Sequence, residues 1–137
     1  YKLLNILKKC EKFIDKKNLI LSHNDLISKN FIDDGKKIWI IDWEYTGYNN
    51  KFFDLANLSS YNNFNKKIDR LMLEFYFQEK LDKNILEQLN TIKFAAFVRE
   101  VMWGMVAEFN ASRRNVNYCR KYSNRYLKKI EEWKSNI

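Results

Sequence analysis

Asp25 lies in the stretch Ser22-His-Asn-Asp25-Leu, Asn30 follows on the same loop, and Asp42 closes the apolar run Ile38-Trp-Ile-Ile41. A carboxylate, an amide and a second carboxylate in this order suit phosphoryl transfer, where catalysis is mostly positioning and charge neutralisation. Asp25 would take the proton of an attacking hydroxyl. Asn30 and Asp42 would hold a magnesium ion bridging the phosphates of ATP, since magnesium favours a few oxygen ligands beside phosphates and water. Each residue also has a plainer reading. An Asn-Asp pair ahead of Leu26 could simply open a turn or cap a helix.

His23 is the only histidine, and no serine or cysteine nucleophile pattern accompanies it. Triad chemistry is therefore disfavoured, and the expected role of His23 is structural, hydrogen-bonding the loop. The H-x-D-x-x-x-x-N spacing from His23 to Asn30 is that of the protein-kinase catalytic loop. Asp42 is expected at the end of a buried strand, where an ionised carboxylate is costly unless paired or metal-bound.

The elements that must position these groups can be read from periodicity. Leu3, Ile6, Leu7, Cys10, Phe13 and Ile14 mark an amphipathic helix over residues 1–17. Residues 18–22 read as a brief buried strand. Phe31-Ile32 and residues 37–41 flank Asp33-Asp-Gly35-Lys, a turn whose Asp-Gly pair tolerates positive φ, so the spacing predicts a hairpin that carries Asp42 back beside Asn30. Residues 43–50 read as an aromatic-rich loop, with a helix beginning near Phe52. Further helices are expected over 66–81, with Ile68, Leu71, Met72 and Phe75 on one side, and over 84–109, with Ile85, Leu89, Ile92, Ala96, Trp103 and Val106 recurring. The last helix is expected over 115–133. The fold class is mostly α with a small β-hairpin (α+β), in a single domain over 1–137.

A chain of 137 residues with 46% hydrophobic content can bury a core. The formal charge of +8 could attract nucleic acid, but lysine and asparagine are abundant throughout and no basic run exceeds a pair, so no nucleic-acid partner is expected. Cys10 and Cys119 stand far apart with no C-x-x-C pair, which points to ordinary thiols in a reducing compartment. No apolar run approaches the length of a membrane span, and no signal peptide is visible. A soluble, cytoplasmic protein is the expectation. The start at Tyr1 in mid-helical pattern suggests a piece of a longer polypeptide.

The segments His23-Asn-Asp25, Asn30, Ile41-Asp-Trp-Glu-Tyr45 and Phe53-Asp-Leu-Ala-Asn57 resemble the choline and ethanolamine kinase family, especially bacterial members that phosphorylate choline. The resemblance continues through Arg99-Glu-Val-Met-Trp103-Gly and residues 118–126. It implies the C-terminal lobe of a protein kinase-like fold, ATP as co-substrate, Mg2+ on Asn30 and Asp42, and Asp25 as catalytic base. It also implies that Glu44, Tyr45, Trp103 and Tyr122 line a pocket for a quaternary ammonium head, which aromatic faces hold through cation–π attraction. Trp103 and Tyr122 could instead be core packing.

Two positions depart from the family pattern. Tyr61 occupies a place where members usually carry a glutamate facing the ammonium, and Val106 occupies the place of a second pocket tryptophan. Tyr61 still offers a π-face, so it stays among the candidate substrate residues. The three glycines, Gly35, Gly47 and Gly104, form no phosphate-cradling cluster. The nucleotide-binding lobe is therefore expected to precede Tyr1, as the partner of this chain, and the chain alone is expected to be inactive. A thiamine or aminoglycoside kinase lobe, or a non-catalytic small-cation binding module, remains the alternative.

Overall fold

The computed structural model describes residues 4–5, 7–8, 11, 18–112 and 115–134. They fall into two compact units, Lys9–Lys93 and Tyr1–Lys8 with Phe94–Ile137. Helices predominate, with two small antiparallel sheets. The helix expected over 1–17 falls largely outside the described residues, although Leu4, Asn5, Leu7 and Lys8 are helical.

In the first unit, β1 (Ile20–Ser22) pairs with β4 (Gly47–Asn49), and β2 (Phe31–Asp33) pairs with β3 (Ile38–Ile40). The second pair is the expected hairpin, with Phe31 opposite Ile40 and Asp33 opposite Ile38. Its turn is written locally. Gly35 takes φ +80°, which a glycine adopts without steric penalty, and Asp34 Oδ1 accepts the N–H groups of Lys36 and Lys37 at 2.9 Å each. Trp39 Nε1 donates to Asp34 Oδ2 at 2.7 Å, and the Lys37 ammonium lies 3.4 Å from the Trp39 ring centroid.

Three expectations change here. The strand after Asn18 is not buried: Ile20 and Leu21 are exposed, and only Ser22 turns inward. The strand ending before Asp42 is exposed along its length, so Asp42 does not sit in an apolar interior. Part of the expected 43–50 loop is a strand, because Gly47–Asn49 finds its partner in β1. In the first two cases the strand belongs to a two-stranded sheet, which leaves its residues largely uncovered.

Helices α1 (Phe53–Asn62), α2 (Lys66–Phe77) and α3 (Lys83–Asn110) follow. Asn65 caps α2 by accepting the N–H groups of Lys67 and Ile68, and Asp82 Oδ1 accepts Ile85 N at the start of α3. Gln78, at φ +54°, caps α2, whose last residue Phe77 lies four before the expected end at Leu81. Phe52, Leu55, Ala56, Leu73, Leu81, Leu89 and Ile92 form the core of this unit. Full burial of such side chains contributes about 1.5–3 kcal/mol each.

The buried face of α2 is not the expected one. Ile68, Leu71 and Phe75 are exposed, Met72 is half-buried, and Leu73 and Asp69 point inward. Asp69 tolerates burial because the Ser59 hydroxyl donates to one carboxylate oxygen and Lys93 Nζ lies 2.7 Å from the other. A carboxylate so paired can occupy a core position that periodicity assigns to an apolar residue.

The second unit contains the rest of α3 and α4 (Val116–Lys134). Phe94, Phe97, Val98 and Val101 are buried on α3, and Cys119, Tyr126 and Ile130 on α4. Phe94 stacks on Trp133 with centroids 4.6 Å apart. Cys119 is a buried free thiol, whereas Cys10 lies outside the described residues. Trp103 and Val106, expected on the packed face of α3, are 49% and 62% exposed, so core packing does not account for Trp103. Among the described residues, no helix is long and apolar enough to cross a membrane.

Candidate active site

The loop after β1 is held by side chains that address its backbone. Asp54, in the first turn of α1, accepts His23 N at 2.7 Å on one oxygen and Asn24 N at 2.8 Å on the other. Asn24 adopts φ +65°, a left-handed conformation that asparagine tolerates better than most residues. Its amide donates to Tyr45 O at 2.9 Å and accepts from Asn49 Nδ2 at 2.8 Å, while its own carbonyl accepts from Asn57 Nδ2 at 3.3 Å. The junction ties the loop to β4, to α1 and to the segment carrying Glu44 and Tyr45.

His23 is buried. Its Nδ1 accepts Asp25 N at 3.2 Å, which leaves Nε2 to donate to Ile41 O at 2.9 Å. The imidazole thus links the Asp25 backbone to the residue before Asp42, and its ring meets Trp43 at 4.7 Å. This arrangement agrees with a structural role.

Asn30 ends a 3-10 turn over Ser28–Asn30 and is buried. Its Nδ2 donates to Asp25 O at 2.9 Å and to Asp25 Oδ2 at 3.2 Å. Both bonds use the nitrogen end of the amide, so the oxygen is the end a cation would take. Ile41 N donates to Asn30 O at 3.0 Å, which brings the residue before Asp42 against Asn30. The hairpin therefore returns the chain to Asn30 at the residue before Asp42. Asp42 is exposed and stands at φ +64°. The cost of an unpaired carboxylate at a buried strand end, which motivated the metal reading of Asp42, does not apply at an exposed position.

Among the described residues, no three His, Cys, Asp or Glu side chains gather into a metal cluster. An amide oxygen and one carboxylate nonetheless suit magnesium, which dehydrates reluctantly and is commonly held by one or two protein oxygens together with phosphates.

Glu44 and Tyr45 lie exposed in a turn closed by Thr46 N donating to Trp43 O at 3.1 Å. Tyr61, on α1, is half-buried. In the other unit, Trp103 and Tyr122 are brought together with ring centroids 5.2 Å apart and planes at 61°. Tyr126 and Tyr118 extend this cluster, at 5.1 and 6.4 Å from Tyr122. The Tyr122 hydroxyl donates to Glu100 Oε2, and burial followed by the Glu100 carboxylate pushes its pKa well above the usual phenol range. A groove of about 410 Å³ beside Trp103 is lined by Val98, Arg99, Met102 and Val106.

Sequence reasoning included Asp54, Asn24 and Glu100 in the segments that carry the resemblance but gave none of them a role. Asp54 carried a signal, an acidic residue one position into a helix that follows a turn. Asn24 was masked by the abundance of asparagine, and Glu100 was one acid within an apolar helix.

Residues 1–69 match the sequence profile of the choline/ethanolamine kinase family. The chain belongs to this family. Relatives include a protein LicA homolog of Mycoplasma capricolum subsp. capricolum, 29% identical over 108 residues that cover 74% of this chain and 43% of that protein. A probable ethanolamine kinase of Arabidopsis thaliana is 44% identical over 41 residues, 28% of this chain and 11% of that one. The crystal structure of a choline/ethanolamine kinase family protein from Mesorhizobium loti matches 96% of this chain and 44% of its own with a TM-score of 0.82, at 23% identity. The fold is accordingly that of the choline/ethanolamine kinases. This chain spans less than half the length of the curated relatives it matches.

Proposed function

We propose that this chain is the catalytic and alcohol-binding lobe of a cytoplasmic kinase that transfers the γ-phosphoryl group of ATP to choline or a similar small amino alcohol. Asp25 orients the alcohol hydroxyl and takes its proton. Asn30 Oδ1 and the Asp42 carboxylate hold Mg2+, which neutralises charge on the transferring phosphate when bound. Trp103 and Tyr122 offer aromatic faces to the ammonium head, with Glu44, Tyr45 and Tyr61 as further substrate contacts. A nucleotide-binding lobe is the chain's partner in turnover, and the chain alone is inactive.

The observation that carries the reading is the Asp25–Asn30 pairing on a loop clamped by Asp54, with Asn30 bonded to the residue before Asp42. These contacts support the reading because they hold Asp25, Asn30 and the backbone leading to Asp42 against one another. The test is ADP release by the chain, alone and in whatever longer polypeptide its reading frame encodes, against choline, ethanolamine, thiamine and an aminoglycoside. Magnesium-dependent turnover with choline or ethanolamine, lost in Asp25→Ala, is expected of the longer polypeptide only. Turnover restricted to thiamine or the aminoglycoside would move the substrate. A folded, choline-binding but silent protein would replace the kinase reading with a binding module.

A further inference from the structure

Glu100 is buried, with its side chain 10% exposed, and both carboxylate oxygens are engaged. Arg99 Nε and Nη2 reach Oε1 at 2.9 and 2.6 Å, and the Tyr122 hydroxyl donates to Oε2. Glu100, Trp103 and Gly104 are spaced i, i+3, i+4 along α3 and so share one face. Opposite them, the Tyr122 ring edge passes within 3.2 Å of where a side chain on Gly104 would begin. The absent Cβ lets the ring settle, the carboxylate fixes its hydroxyl, and Trp103 meets it edge-on.

We propose that Glu100 is a positioning and specificity-determining residue of this aromatic face, selecting a substituted ammonium over a neutral group of the same shape. Two effects act together. The hydrogen bond holds the Tyr122 ring in register with Trp103. A phenol that donates to a carboxylate also carries more electron density on its ring, which strengthens the negative π-face a cation seeks. Burial keeps the bond from being exchanged for water, and the upward displacement of the phenol pKa agrees with a hydroxyl that retains its proton beside the carboxylate. The inference rests on the proposed binding of an amino alcohol at Trp103 and Tyr122, and assigns a role to a residue that does not itself touch the head group.

The experiment titrates the chain with choline and with its neutral carbon isostere, in which a tert-butyl group replaces trimethylammonium, following tryptophan fluorescence. Wild type is expected to prefer choline. Glu100→Gln should lower that preference about tenfold, within the range of a desolvated cation–π contact, and leave isostere affinity unchanged. Tyr122→Phe keeps the ring and removes only the O–H, and should lose a similar share of the preference. The double variant should lose no more than either one. An unchanged preference in Glu100→Gln, or equal weakening toward both ligands, would overturn the proposal, the second because a merely structural carboxylate acts on both alike. Should Glu100→Gln fail to fold, Tyr122→Phe decides on the same criteria. Wild type that binds neither molecule would instead remove the amino-alcohol reading, and this inference with it.

Discussion

The loop around Asp25 and the aromatic cluster around Tyr122 are positioned by opposite means. The loop lacks regular structure for most of its length, and directional bonds hold it: Asp54 to two backbone amides, His23 to two more backbone groups, and Asn24 to Tyr45, Gly47, Asn49 and Asn57. The cluster sits on two helices and is held by ring contacts and close backbone approach, with one buried carboxylate as its polar anchor. Directional bonds suit a site where oxygen atoms must be placed within tenths of an ångström. Packed rings suit a site that recognises a rounded, diffuse charge.

That contrast can be broken most forcefully at Asp54. Asp54→Ala leaves the amides of His23 and Asn24 without their acceptor, at about 1–3 kcal/mol for each group that water does not reach. Urea unfolding should show a loss near the lower end of the summed range, because Asp54 is only half-buried, and phosphotransfer by the longer polypeptide should fall with it while tryptophan-detected choline binding by the chain persists. Equal loss of both would make the two regions one cooperative element.

Gly104→Ala is the corresponding cut in the cluster. A methyl there meets Ser123 and the Tyr122 ring, and overpacking of this kind costs about 1–3 kcal/mol. The expected result is a lowered melting temperature and a shifted Trp103 emission, with little change in magnesium affinity.

Trp103→Ala should be gentler and purely functional. The side chain is half exposed, so stability should hold, while affinity for a quaternary ammonium drops by about 0.5–2 kcal/mol in calorimetric titration.

The smallest effect belongs to the hairpin. The Trp39 indole N–H, followed by the amides of Lys37 and Lys36, holds the Asp34 carboxyl below the ordinary aspartate range. A folded-state pKa below the unfolded value stabilises the fold above the unfolded pKa, and that contribution is lost as pH falls through the folded one. Trp39 fluorescence should therefore report hairpin loosening only in acid, and Asp34→Asn should flatten the profile.

What could be read from the sequence followed the range of the interaction. The hairpin was legible because Asp34-Gly35 and its flanking apolar residues are neighbours in the chain. Helix α3 was legible from its apolar recurrence, and α1 and α4 begin within a residue of where the sequence placed them. Strand β4 was not, since Gly47-Tyr-Asn49 reads as a turn until β1 is alongside. The inward face of α2 was misjudged because Asp69 owes its burial to Ser59 and Lys93, each on another helix. The same holds for Glu100, whose anchor role depends on Tyr122 from α4. Spacing could nominate Asp25, Asn30 and Asp42, but it could not name what holds their backbone.

Asp42 stands at a left-handed φ, and this narrows its evolutionary exits. That conformation costs most L-residues about 1–2 kcal/mol and is visited most readily by glycine, asparagine and aspartate. Of these three, only aspartate brings a charge. Drift at this codon can preserve the backbone or the carboxylate through other residues, but not both. An asparagine found there in a relative would keep the backbone and give up the proposed magnesium ligand.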